Sequence, residues 1–146
     1  MKIQTQWNQK MVFTSEADGR RVTMDAKSPI GTSTAMTPKE LVAVGLTGCT
    51  AMDVAALMKK HRQPVETFEV ETDVTMLEGS KPQVFASIDL TLTLTGQVER
   101  EKLLESIQLS QTKYCGVSAM LVKAVPIRYR VVLNGEEIGR GQADFT

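Results

Sequence analysis

Three observations predict an α+β fold. Strand-like stretches come in runs instead of alternating one for one with helices. One long apolar segment, Thr37–Arg62, has a helix signal at each end. Two long alternating stretches, Val65–Leu77 and Val84–Thr95, are joined by a short polar loop, the pattern of an antiparallel pair with one wet face.

The elements follow in chain order. Lys2–Gln9 alternates, with Ile3, Thr5 and Trp7 on one side and Gln4, Gln6 and Asn8 on the other, as a half-buried strand does. Met11–Ser15 is the next strand, and Asp18-Gly19 is a hairpin signal. Arg20–Asp25 returns with Val22 and Met24 on its inner face, so residues 1–25 read as a β-meander. Ala26–Met36 is a loop rich in hydroxyl residues.

Residues 37–62 read as the central helix. Thr37 is its N-cap, Pro38 takes the first helical position, and Glu40 completes a capping box. Lys59, Lys60, His61 and Arg62 gather at the end, where the helix dipole favours positive charge, and Pro64 stops the run. From Leu41 to Met58 the only charge is Asp53. A helix apolar nearly all round is a buried one, so other elements are expected to cover it. Crossing a bilayer takes about 20 uninterrupted apolar residues. Asp53, Gly45 and Gly48 argue against that use. Each glycine costs about 1 kcal/mol relative to alanine in a helix interior. Their expected role is to let another backbone come close in packing; the sharper account is that this approach buries the Cys49 sulfur.

Residues 65–95 form the long hairpin. Its second strand puts Ile88, Leu90, Leu92 and Leu94 on one face. In the helical segment 99–123, Glu99–Tyr114 has helical spacing at Leu103, Leu104, Ile107 and Gln111. Cys115-Gly116 breaks it, and a shorter apolar piece, Val117–Lys123, follows. Residues 127–133 are the final strand, after which Asn134-Gly135 turns into a polar tail. The whole reads as one domain, 1–146.

Composition narrows the function classes. The 146 residues suffice for one domain with a real core. Seventeen basic residues balance seventeen acidic ones and no basic stripe stands out, which speaks against nucleic acid as a partner. The start, MKIQTQWNQK, has no apolar core of signal-peptide length, so the expected location is the cytoplasm. There two cysteines are reduced or cycling more often than permanently bridged. Two cysteines and one histidine cannot supply the four ligands of a structural zinc site within one chain. His61 reads as a dipole partner on the surface. No glycine-rich phosphate loop and no Gly-x-Ser-x-Gly elbow is present.

Cys49 and Cys115 therefore carry the chemistry, if any is carried. They read either as two inert buried thiols or as a redox pair. Cys49 lies mid-helix, away from the dipole's positive end, and Asp53 one turn later opposes its ionisation. A thiolate there needs a cation from elsewhere in the fold.

The run PKELVAVGLTGCTAMDV resembles the first cysteine motif of the OsmC/Ohr family of osmotically induced and organic hydroperoxide resistance proteins. The run KYCGVSAMLVKAVPIRYRV resembles its second. Element order and cysteine spacing match as well, so the resemblance covers almost the whole chain, and within the family the sequence looks closest to the YhfA-like branch. The resemblance implies antiparallel sheets wrapped around central helices in an intertwined homodimer, with the N-terminal strands of one chain joining the sheet of the other. It implies a peroxidase acting on organic hydroperoxides, with Cys49 as the peroxidatic thiolate, Cys115 as the resolving thiol and a thiol reductant as partner. No metal or cofactor is implied, and no membrane. The alternative is a non-catalytic or redox-sensing dimer that holds a small hydrophobic molecule over Cys49.

Two positions depart from the family pattern. The family's peroxidases have a glutamate ten residues before the reactive cysteine. Here that position is Lys39, and Glu40 follows it. Nine residues along a helix put Glu40 on the opposite face from Cys49 and about 13 Å away, so it takes part only through a helix break or from the second subunit. The family's activating arginine aligns with Met24. Arg20 or Arg21 substitutes at a shifted register, or both are simply solvated at a hairpin end.

Overall fold

The first 25 residues fold as a meander, although its first strand, expected to be half-buried, is exposed along its whole length. In the computed structural model, which describes residues 1–146, strands β1 (Gln4–Gln9), β2 (Val12–Ala17) and β3 (Arg20–Met24) form an antiparallel sheet in that order. Asp18 and Gly19 both have positive φ, as a two-residue hairpin turn demands. The sheet belongs to the first of two units, Met1–Val44; the second is Gly45–Thr146.

Asp25, just past β3, organises the loop that follows. It is buried at 1% exposure. Its Oδ2 accepts the hydroxyls of Thr32 (2.7 Å) and Thr34 (2.8 Å) and their backbone N–H groups, while Oδ1 accepts the Ala26 N–H at 2.7 Å. These donors, the Thr32 hydroxyl foremost, hold the carboxyl well below the usual carboxylate range. A folded-state pKa below the unfolded one means that the unfolded chain binds the extra proton first. The stabilisation is therefore complete above about pH 4 and is lost as pH falls further. We expect Asp25→Asn to lower the melting temperature most at neutral pH, with the gap to the parent protein closing under acid. Melting curves across pH check this, and a gap that does not change with pH would refute it.

The central helix α1 runs Pro38–Lys60. Its capping box is in place: the Thr37 hydroxyl accepts the Glu40 N–H at 3.2 Å, and Glu40 Oε2 accepts the Thr37 N–H at 2.7 Å. The expectation that other elements cover it all round needs correction. One stripe is buried, Leu46, Thr50, Val54 and Met58, at successive four-residue steps. Val42, Val44 and Met52 are exposed, and no atom approaches the place where a Cβ would stand on Gly45 or Gly48. The two glycines therefore admit no close backbone from within the chain. Apolar periodicity reports that a face avoids water, not that its own chain covers it. By length and composition α1 resembles a membrane span, yet its buried stripe joins the core of a folded unit.

That core rests on a mixed four-stranded sheet of order β4-β5-β6-β7. Strand β4 (Val65–Met76) pairs antiparallel with β5 (Phe85–Gly96), whose Ile88, Leu90, Leu92 and Leu94 are buried in alternation. Strand β6 (Ile127–Leu133) joins β5 in parallel. Parallel neighbours need a long crossover. Helix α2 (Arg100–Leu109), a π-helical turn (Ser110–Tyr114) and helix α3 (Gly116–Leu121) supply it. Leu103 and Ile107 of α2 share the core with Leu46, Val54 and Met58 of α1.

Strand β6 is not the final strand. Asn134-Gly135, both at positive φ, is a hairpin turn, and the expected polar tail pairs as β7 (Glu136–Gln142). The sequence EEIGRGQ hides this strand because Gly139 and Gly141 replace the inward side chains. Leu104 of α2 and Tyr129 of β6 occupy the space where their Cβ atoms would be.

Candidate functional site

Two separate local causes bring the cysteines together. Cys49 lies on α1 next to the buried Thr50. Cys115 lies where the crossover changes course. Its own N–H closes the π-helical turn on Ser110 O at 2.9 Å, and its backbone then becomes extended and caps α3. The expected break at Cys115-Gly116 is this cap. The Cys49 sulfur, the Cys115 sulfur and a carboxylate oxygen of Asp53 all lie within 4.8 Å of one another. Both thiols are free; Cys49 is half-buried and Cys115 fully buried.

Around Cys115 runs a closed polar network in which Thr50, Ser110, Gln111 and Ser118 are all fully buried. Gln111 Nε2 donates to Thr50 Oγ1 at 3.0 Å and to Ser110 Oγ at 3.3 Å, and Gln111 Oε1 accepts the Ser118 hydroxyl at 3.0 Å. Thr50 Oγ1 stands 3.7 Å from the Cys115 sulfur, which also accepts the Ser118 N–H at 3.4 Å. Ser110 Oγ donates to Asp53 Oδ2 at 3.0 Å. No buried side-chain nitrogen or oxygen is left without a partner. A network satisfied this fully fixes rotamers and leaves little play in the thiol it surrounds.

The electrostatics run against ionisation of Cys49. Burial pushes its thiol up; the Val117 N–H donates to the sulfur and lowers it; Cys115 and the Asp53 carboxylate raise it again. No cation is among these groups. Removing the Asp53 charge takes away one of these opposing effects and leaves burial in place. We expect Asp53→Asn to react modestly faster with iodoacetamide at neutral pH, read by mass spectrometry of the Cys49 peptide. A slower or unchanged rate would contradict the electrostatic reading.

The other residues singled out in the sequence have local partners. Arg20 pairs with Asp18 (3.1 Å) and Arg21 with Glu16 (2.7 Å), all exposed at the β2–β3 hairpin end. Glu40 serves the α1 cap and lies 3.4 Å from the Lys27 ammonium. His61 closes the end of α1 through its backbone N–H to Leu57 O. The sequence alone does not mark Thr50, Ser110, Gln111 and Ser118 as functional. The signal for two of them was present: Gln111 falls on the apolar face of its helix, and Thr50 interrupts the stripe Leu46, Val54, Met58.

With this geometry in place, comparison with known proteins is informative. The sequence pattern of the OsmC-like protein family matches residues 31–130. Protein YhfA of Escherichia coli strain K12 is 33% identical over 131 residues, covering 88% of this chain and 95% of that protein. Among solved structures, a hypothetical protein from Aquifex aeolicus VF5 superposes with a TM-score of 0.81 at 24% identity, over 93% of this chain and 97% of its own. An organic hydroperoxide resistance protein OsmC from Legionella pneumophila superposes with a TM-score of 0.68 at 14% identity, over 90% and 95%. Both share the fold.

Proposed function

Because the chain belongs to the OsmC family and to its YhfA-like branch, we propose that it is a thiol-dependent peroxidase that reduces organic hydroperoxides in defence against oxidative stress. The observation that carries this reading is the meeting of the Cys49 and Cys115 sulfurs within 4.8 Å. The description of the Legionella neighbour as a redox protein and hydroperoxide resistance protein is consistent with it. Cys49 is the half-exposed thiol and attacks; Cys115 is fully buried and resolves.

In the first step the Cys49 thiolate attacks the distal peroxide oxygen and displaces the alkoxide. The O–O bond breaks, Cys49 becomes a sulfenic acid, and the leaving alkoxide takes a proton to give an alcohol. In the second, the Cys115 thiolate attacks the Cys49 sulfur; hydroxide leaves with a proton as water, and the disulfide forms. A dithiol reductant returns both thiols by exchange. In this reading the network around Gln111 holds Cys115 in place for the second step.

The working form in this reading is a cytoplasmic, intertwined homodimer. The exposed Val42, Val44 and Met52 of α1, its open glycines, and the exposed Ile3 and Trp7 provide apolar surface for a second copy. The cation that Cys49 lacks within its own chain would then come from the second copy.

One equivalent of alkyl hydroperoxide added to the reduced protein should remove two thiols per chain and give a Cys49–Cys115 disulfide by peptide mapping. If both thiols stay free while the peroxide persists, the reading fails. The absence of a cation from the groups acting on Cys49 favours a second reading, a redox-sensing or ligand-binding dimer. That reading predicts slow turnover with a saturable rise in melting temperature on adding a small hydrophobic ligand.

A further inference from the structure

Cys49, Asp53 and Cys115 are more than a disulfide in waiting. A disulfide needs two sulfurs, and the carboxylate beside them works against thiolate formation at Cys49. Two sulfurs and a carboxylate oxygen within 4.8 Å of one another are also a metal donor set. We infer that the reduced protein binds one borderline-soft divalent cation of the zinc type per chain through Cys49 Sγ, Cys115 Sγ and an Asp53 carboxylate oxygen.

The geometry fits. Zinc bonds of about 2.3 Å to sulfur and about 2.1 Å to oxygen place tetrahedral ligands about 3.6–3.8 Å apart. The separations present need a contraction of no more than about 1.2 Å to reach that. Cys49 and Asp53 are four residues apart on one helix, so they project from the same face. Three protein ligands leave a fourth position for water, the arrangement of an open and exchangeable zinc site rather than a closed structural one. The exclusion of a four-ligand site from cysteine and histidine counts therefore stands, and the carboxylate is what that count leaves out. An outer shell is already in place: Ser110 Oγ donates to Asp53 Oδ2 at 3.0 Å, and the Cys115 sulfur accepts the Ser118 N–H at 3.4 Å. Such partners orient ligands. Two thiolates and a carboxylate bring three negative charges, of which the dication offsets two.

Occupancy of this site would compete with peroxide chemistry, a consequence that rests on the peroxidase reading. The zinc-bound pair would react as ROOH plus two protons, giving the disulfide, ROH, water and free Zn²⁺. The two sulfurs lose two electrons and the peroxide gains them. The cation would then protect the reduced thiols and leave on oxidation.

Binding itself is tested without peroxide, so the two readings fail separately. Anaerobic titration of the reduced full chain with Zn²⁺ by calorimetry should give one site per chain, tighter than micromolar. Co²⁺ should give thiolate-to-cobalt charge-transfer absorption that Zn²⁺ abolishes. Cys49→Ser and Cys115→Ser should each remove that band. Asp53→Asn should weaken binding while keeping the protein folded, and Ser110→Ala should weaken it about 10–100-fold. No saturable binding, or binding that survives in both cysteine variants, overturns the inference. A wild-type affinity for Asp53→Asn overturns the assignment of the carboxylate.

Discussion

Cys49→Ser is expected to reduce hydroperoxide consumption to the uncatalysed background, while Cys115→Ser retains the first turnover and loses the cycle. The asymmetry follows from the site. Cys49 is the half-exposed sulfur, whereas Cys115 is fully buried behind Thr50, Gln111 and Ser118. With Cys115 absent, the Cys49 sulfenic acid has no thiol within reach in its own chain. It should persist long enough for a sulfenate-specific reagent to trap it, and excess peroxide should carry it on to the sulfinic acid. Mass spectrometry of the Cys49 peptide reads each state. The opposite pattern, with activity lost in Cys115→Ser and a sulfenate trapped at Cys115 in Cys49→Ser, would reverse the roles. Equal activity in both variants would remove the cysteines from the chemistry.

The sequence made the sulfurs conspicuous and their surroundings obscure. Paired motifs on a capped helix and after a crossover helix identify Cys49 and Cys115, and the helix signals put α1 within two residues of its observed ends. The β-meander and long hairpin were legible because period-two alternation is strong in Lys2–Gln9 and Val84–Thr95. Strand β7 was not, since Gly139 and Gly141 make room for Leu104 and Tyr129 and remove the alternation that would mark a strand. The parallel β5–β6 pairing was not legible either, because alternation shows which face is buried and not which neighbour runs beside it. The exposed side of α1 has a different cause. Val42, Val44 and Met52 read as core because an apolar side chain in sequence looks alike whether its own chain or another covers it. Charged candidates were hardest to place. Arg20, Arg21 and Glu40 are candidate thiolate partners by sequence, yet within the chain each lies beside an opposite charge close in sequence or in the adjoining loop.

Gln111 should matter to both folding and chemistry, which makes it the sharpest test of how the site is built. Its amide donates to Thr50 and Ser110 and accepts from Ser118, all without access to water. Replacing it with methionine keeps the volume but breaks these bonds, and leaving buried polar groups unpaired costs about 1–3 kcal/mol apiece. A net loss of roughly 3 kcal/mol in unfolding free energy is expected, measured by urea denaturation. The chemical effect separates from the structural one. Gln111 hydrogen-bonds to Thr50, Ser110 and Ser118 and not to Cys49, so formation of the Cys49 sulfenic acid should keep its rate. Thr50 and Ser118, which it fixes, both contact the Cys115 sulfur, so closure to the disulfide should slow several-fold. Stopped-flow oxidation followed by timed thiol trapping resolves the two steps below the melting point of the variant. If both steps slow together, the network serves only to hold the fold; if neither slows, Cys115 is positioned by the α3 cap alone.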